Sequence, residues 1–85
     1  MIDRLPSAWL RCDAGRAAVA VLWLEGMTQQ RIGQAFGHRK PSTVNIAIMQ
    51  LCERYAVPDD GWLPQGEQRR SFARLAVRRY LEQRV

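Results

Sequence analysis

The sequence predicts a compact all-α domain of four to five helices that contains a helix-turn-helix. Three observations lead there. Apolar residues recur at helical spacing along most of the chain, no stretch alternates polar and apolar residues over a useful length, and helix caps, glycine stops and a proline start punctuate the periodic stretches. Neither an internal repeat nor a low-complexity tract interrupts the pattern.

Taken in order, a turn of helix is expected around residues 6–10. Asp13 then serves as the N-cap of a helix reading "AGRAAVAVLWLEG", ended by Gly26. Its apolar residues run almost all the way round, so it should be central, with neighbours on more than one side. In "MTQQRIGQAFG", Thr28 caps a short helix whose Ile32, Ala35 and Phe36 point one way, and Gly37 occupies the left-handed position after its end. A basic turn follows, and Pro41 starts the next helix, where its missing N–H would have no partner anyway.

Counted at ~100° per residue from Val44, the side chains of Ala47, Ile48, Leu51, Cys52 and Tyr55 share one face of that helix. Ser42, Asn45, Ile46, Met49 and Glu53 share the other, with Thr43 and Gln50 on its flank. "AVPDDGWLPQG" breaks the chain, and a last helix is expected over residues 65–84 with Phe72, Ala73, Ala76, Val77, Tyr80 and Leu81 on its apolar face. The ending "LEQRV" carries no helix stop, the expected appearance of a domain cut from a longer protein.

Eighty-five residues, nearly half of them apolar, make one domain able to fold unaided. No apolar run approaches the ~20 residues that span a bilayer, and "MIDRLPSAW" lacks the layout of a signal peptide. A cytoplasmic, nucleoid-associated protein is expected, with no membrane partner, small-molecule substrate or cofactor. Cys12 and Cys52 stand 40 residues apart beside a single histidine, which gives no zinc site and no disulfide framework. They are expected as small buried thiols. Trp9, Trp23 and Trp62 are expected in the core.

The net charge of +5 is unevenly spread. Residues 1–27 are neutral. Residues 28–57 carry Arg31, Arg39, Lys40 and Arg54 against Glu53 alone, and residues 58–85 carry six arginines against four acids. A basic middle and a basic end suit a polyanionic partner.

Two short helices, the first ended by glycine, the second begun a few residues later, form the helix-turn-helix pattern over about residues 28–55. Ile32, Phe36, Val44 and Ile48 supply the apolar wedge between them. Gly33 lacks a side chain where the helices approach, and Gly37 permits the positive φ of the turn. The outward face of the second helix is polar and flanked by Arg39 and Lys40. Such a face enters a major groove with its N-terminal residues nearest the bases, and the helix N-terminus itself favours a phosphate.

The segment "IGQAFGHRKPSTVNIAIMQLCERY" resembles the signature of the C-terminal DNA-binding domain of the bacterial replication initiator DnaA, within the Trp-repressor-like superfamily. That signature runs Ile-Gly-x-x-Phe-Gly-Gly-Arg-Asp-His-Ser/Thr-Thr-Val, followed by a helix with Ala three residues after the Val. Ile32, Gly33, Phe36, Gly37, Arg39, Ser42, Thr43, Val44 and Ala47 sit where the signature expects them. Val44 follows Gly37 by seven positions, one more than in the commonest helix-turn-helix pattern.

Departures are informative. The family's Asp-His, which help read bases, are replaced by Lys40 and Pro41, and its second glycine by His38. Its basic loop, which reaches a minor groove, is reduced to Arg11 and Arg16 around "RCDAGR". Nothing resembles a G-x-x-x-x-G-K-S/T phosphate loop. The resemblance therefore implies a small DnaA-like transcriptional regulator rather than the initiator, such as an activator of a phage-derived or gene-transfer-agent operon.

Residue by residue, Arg39 is the first choice for a contact to phosphate or guanine, against a solvated turn arginine. Lys40 suits backbone phosphate. Ser42 and Thr43 suit phosphate or bases, or else their own helix N-terminus. Asn45 and Gln50 suit adenine edges, Asn45 being the better placed, or an ordinary polar surface. Ile46 and Met49 call for a thymine methyl or a protein neighbour. His38 is a solvated turn residue or a phosphate contact, and Arg31 can hold a phosphate from the first helix of the pair. Arg70, Arg74 and Arg78 recur every four residues, as a solvated face, a track for DNA backbone, or a dock for an acidic protein such as an RNA polymerase subunit.

Sequence-specific binding of double-stranded DNA is the leading expectation. The competing one is a protein-interaction module using the Arg-rich last helix. An enzyme is not expected: one histidine and eight scattered acids assemble no nucleophile–base pair, paired carboxylates or metal set.

Overall fold

The computed structural model describes residues 5–56 and 66–84. Over these the chain is all-α. A 3-10 segment, Ser7–Arg11, precedes α1 (Asp13–Leu24), α2 (Gln29–Ala35), α3 (Pro41–Tyr55) and α4 (Glu67–Arg84), and no strand occurs among the described residues. Trp62, the acid pair Asp59–Asp60 and the expected helix start at Gln65 lie outside the described residues.

The start of α1 differs from expectation by one residue. Asp13 is the first helical residue, and Cys12 is the cap, its Sγ accepting the Gly15 N–H at 3.4 Å. Asp13 is engaged elsewhere. Its carboxylate accepts from the Tyr55 hydroxyl at 2.8 Å and stands 3.2 Å from the Arg16 guanidinium and 3.5 Å from that of Arg54. A carboxylate in the first turn also meets the positive end of the helix dipole. Cys12 is accordingly exposed rather than buried, while Cys52 is buried as expected.

The central position of α1 is observed: it packs against the 3-10 segment and all three other helices. Val19 and Ala20 are fully buried and Trp23 nearly so, together with Ile32, Phe36, Val44, Ile48 and Leu51. Each of the Val, Ile, Leu and Phe side chains among them contributes about 1.5–3 kcal/mol by leaving water. An exposed ion pair such as Arg78–Glu82, at 3.8 Å, contributes at most about 1 kcal/mol. Apolar packing therefore decides the arrangement.

Ala73, Ala76 and Tyr80 bury one side of α4 against α1 and α3, but Leu81, expected on that side, is 55% exposed. The arginine stripe is also only partly free. Arg69 and Arg70 cover Trp23, with guanidinium carbons 5.2 and 4.7 Å from its ring centroid, and Arg70 donates to the Trp23 carbonyl. Off the stripe, Arg79 donates to the Tyr55 carbonyl at 3.0 Å. Trp9 is half-buried, its ring edge-on to Phe36. No helix among the described residues is long and apolar enough to cross a membrane.

The Tyr55–Asp13 bond joins the end of α3 to the start of α1, and it is made by the neutral phenol. Accepting that proton, Asp13 raises the Tyr55 hydroxyl above its ordinary value of 10.0, with burial a lesser cause. The folded state thus binds the proton more tightly than the unfolded chain. The resulting stability is complete below pH 10.0 and is lost as pH rises through the raised value. A Tyr55→Phe variant should lack this alkaline fall, read as the difference between urea unfolding curves of the two proteins below and above pH 10.0.

Candidate nucleic-acid interface

Local chemistry sets where α3 begins. Thr28 caps α2, its Oγ1 accepting the Arg31 N–H at 3.1 Å. After Phe36 the chain passes through two successive left-handed residues, Gly37 (φ 84°) and His38 (φ 65°). The Arg39 N–H then returns to the Gly33 carbonyl at 2.8 Å, six residues back. A single left-handed residue closes such a turn over five. The second one is the structural meaning of the long spacing between Gly37 and Val44. Gly33 is required for a reason adjusted from expectation: a Cβ there would collide with the carbonyl of Arg39, so the close approach is to the turn's own backbone. Pro41 is the first residue of α3, as expected.

Ile32, Phe36, Val44 and Ile48 are all buried, so the opposite side of α3 faces outward. Ser42, Ile46, Gln50 and Glu53 are exposed, and Thr43, Asn45 and Met49 are half-buried. Among the described residues no side chain caps α3, and neither Ser42 nor Thr43 forms a side-chain hydrogen bond, so their hydroxyls are not used on the helix's own end. Asn45 leans toward α2: it accepts from Gln29 at 3.5 Å, and its amide lies 3.4 Å from the Met49 sulfur. Gln50, ranked below it from the sequence, has no such partner and is the more exposed of the two.

On the opposite flank, the 3-10 segment and α3 enclose a groove of about 330 Å3, lined by Leu10, Arg11, Arg16, Arg39, Thr43, Ile46 and Gln50 among others. Six residues singled out from sequence thus meet in one concavity. Gly15 sets its wall, since a Cβ there would strike the Trp9 backbone and push the 3-10 segment away. Arg39 reaches across to the Ser7 hydroxyl at 3.3 Å.

Arg16 differs from the others. Its Nε donates to the Leu10 carbonyl and its terminal nitrogen to Asp13, each at 3.2 Å, leaving the side chain 15% exposed. It braces the groove wall. The side chains of Arg11, Arg31 and Lys40 are exposed and make no hydrogen bond or ion pair among the described residues. Arg31 and His38 lie outside the groove, Arg31 on the α2 flank and His38 at the turn. The three guanidinium groups on Trp23 or the Tyr55 carbonyl are spent within the fold. Sequence reasoning missed the Ser7 contact and the groove itself, for which no local pattern exists.

Compared with known protein families, with curated proteins and with solved structures, the chain matches none.

Two substitutions probe the turn. Gly33→Ala should lower stability by about 2 kcal/mol or more, because overpacking against backbone exceeds the ~1 kcal/mol helix preference of alanine. His38→Gly should raise it by about 0.5–1 kcal/mol. The left-handed backbone costs a side-chain-bearing residue roughly 1–2 kcal/mol, and glycine's extra freedom in the unfolded chain returns only part of that. Urea unfolding midpoints measure both.

Proposed function

We propose that this chain binds double-stranded DNA sequence-specifically, with the first turns of α3 in the major groove, as a bacterial transcriptional regulator. The observation that carries the proposal is the outer side of α3. Its Ser42, Ile46 and Gln50 are exposed, and cations with no strong partner among the described residues stand beside its start. A major groove about 12 Å wide admits a helix presented this way. Its two walls are phosphate strands. The groove holding Arg11 and Arg39 meets one, and Arg31 on the α2 flank meets the other, while Lys40 and the open N-terminus of α3 add a phosphate site. Arg16 holds the wall on which Arg11 is carried.

Within the helix, Ser42, Thr43 and Gln50 supply donors and acceptors for base edges. Glu53 lies about 15 Å along the axis from Thr43, at ~1.5 Å per residue, and its charge keeps the far end of α3 away from phosphate. The resemblance of residues 32–55 to the DnaA-type DNA-binding signature supports the same reading, with a small DnaA-like regulator, an activator of a phage-like or gene-transfer-agent operon, as its narrower form. An acidic protein docked on Arg70, Arg74 and Arg78 is less favoured, because Arg70 is committed to Trp23 and Arg78 faces Glu82.

Gel-shift titration on duplexes selected from a random library tests this. Three cations at phosphate (Arg11, Arg31 and Lys40) should give a log–log salt slope of about −3, and Arg39 would bring it to about −4 if it too meets phosphate, at ~0.9 per contact. Lys40→Ala should reduce the magnitude of that slope by about 1 and weaken all duplexes alike. Arg39→Ala should weaken the preferred duplex by about 1–3 kcal/mol and flatten the preference at one position. An equal loss on every duplex makes Arg39 a phosphate contact, and no shift of any duplex overturns the proposal.

A further inference from the structure

Phosphate and hydrogen-bond contacts leave one residue of this surface without a purpose. Ile46 is 53% exposed in the middle of the outer row of α3, with Ser42 one turn before it and Gln50 one turn after. The fold gains little from an apolar side chain there, since Val44, Ala47, Ile48, Leu51 and Cys52 already complete the buried side. The remaining exposed large apolar residues among those described, Val21 and Leu81, belong to α1 and α4. Ile46 alone of these stands on the surface assigned to DNA, at the lip of the groove that carries Arg11 and Arg39.

A major groove offers a branched alkyl group one apolar partner, the C5 methyl of thymine. Apart from the small C5–H of cytosine, which offers far less apolar contact, the groups exposed there are donors or acceptors, and covering one with Ile46 would leave it without its water. We infer that Ile46 reads a thymine methyl and so helps determine sequence preference, an inference that rests on the DNA-binding reading. The spacing adds detail. Residues four apart on a helix are about 6 Å apart along its axis, and base pairs are spaced about 3.4 Å. Ser42, Ile46 and Gln50 therefore address positions roughly two base pairs apart. Gln50 suits adenine, placing that adenine about two pairs from the thymine.

The test uses the full chain and duplexes enriched from a random library, with each thymine replaced in turn by deoxyuridine. That exchange deletes the methyl and leaves the hydrogen-bonding edge intact. At one position the wild-type protein should bind about fourfold more weakly, the worth of one buried carbon. Ile46→Ala, a surface change, should bind the thymine and uracil duplexes equally, and Ile46→Val should retain part of the difference. A selected duplex with no such position, or one whose penalty persists in Ile46→Ala, overturns the inference and leaves DNA binding standing. Failure to enrich any duplex overturns DNA binding itself, and this inference with it; a protein neighbour then becomes the reason for the exposed isoleucine.

Discussion

The peptide of Arg39 rests directly on Gly33, and most of what this surface presents follows from that contact. A hydrogen bond of 2.8 Å from the Arg39 N–H to the Gly33 carbonyl closes the turn, and the absent side chain of Gly33 lets the Arg39 carbonyl come to rest there. With Arg39 so fixed, Pro41 begins α3 after only one more residue, and the rotation of α3 about its axis is set by where Val44 and Ile48 must go. The hydrogen bond contributes only about 1 kcal/mol. Burial of Ile32, Phe36, Val44 and Ile48 contributes several times that. Packing thus supplies the stability, and the backbone contact chooses which of many apolar pairings the two helices adopt. His38 is held in a left-handed conformation that favours glycine, so some of that stability is spent on the turn's path.

A second constraint frames the other flank. The 3-10 segment is held against α1 by the close approach of Trp9 to Gly15 and by Arg16 on the Leu10 carbonyl, while Trp9 also meets Phe36 just past the end of α2, and the Leu5 N–H ahead of the segment donates to the Ala35 carbonyl. Arg16 has its charge offset by Asp13, which Tyr55 and Arg54 approach from α3. One carboxylate therefore couples the 3-10 segment, the start of α1 and the end of α3. The shape of the groove beside Arg39 depends on a cluster of which only Arg16 lines it.

What the sequence made legible was local. Thr28, Gly37 and Pro41 marked the bounds of α2 and α3 because capping, positive φ and a missing N–H act within a few residues. The buried side of α3 followed from angular periodicity alone. Long-range pairings were not legible. Asp13 reads as a cap from its neighbours, but its partner Tyr55 lies 42 residues away, and Cys12 takes the cap instead. Arg70 looks like one of three evenly spaced surface cations until α4 is laid on Trp23, 47 residues away. Asn45 ranks above Gln50 by position on a lone helix, and the order changes once Gln29 is beside it. Whether the surface meets DNA is carried by the chemistry of Arg39 through Gln50 and by the likeness of residues 32–55 to a known signature.

Net charge alone would have been a poor guide to that surface. Of the described basic side chains, Arg16, Arg54, Arg69, Arg70, Arg78 and Arg79 each face a carboxylate, an aromatic ring or a backbone carbonyl of this chain. A guanidinium already paired or stacked adds little to the capture of a phosphate, because its partner must first be given up. Arg11, Arg31 and Lys40 have no such partner, and Arg39 has only the Ser7 hydroxyl, a neutral acceptor at 3.3 Å. Apart from Arg74 on α4, the uncommitted cations among the described side chains therefore lie on the 3-10 segment, on α2 and at the start of α3. The same helix that buries Val44, Ala47, Ile48 and Leu51 to hold the fold turns its remaining side toward them. On the proposed function, stability and recognition fall on opposite sides of α3, so changes on the outer side would alter what is read without loosening what is packed.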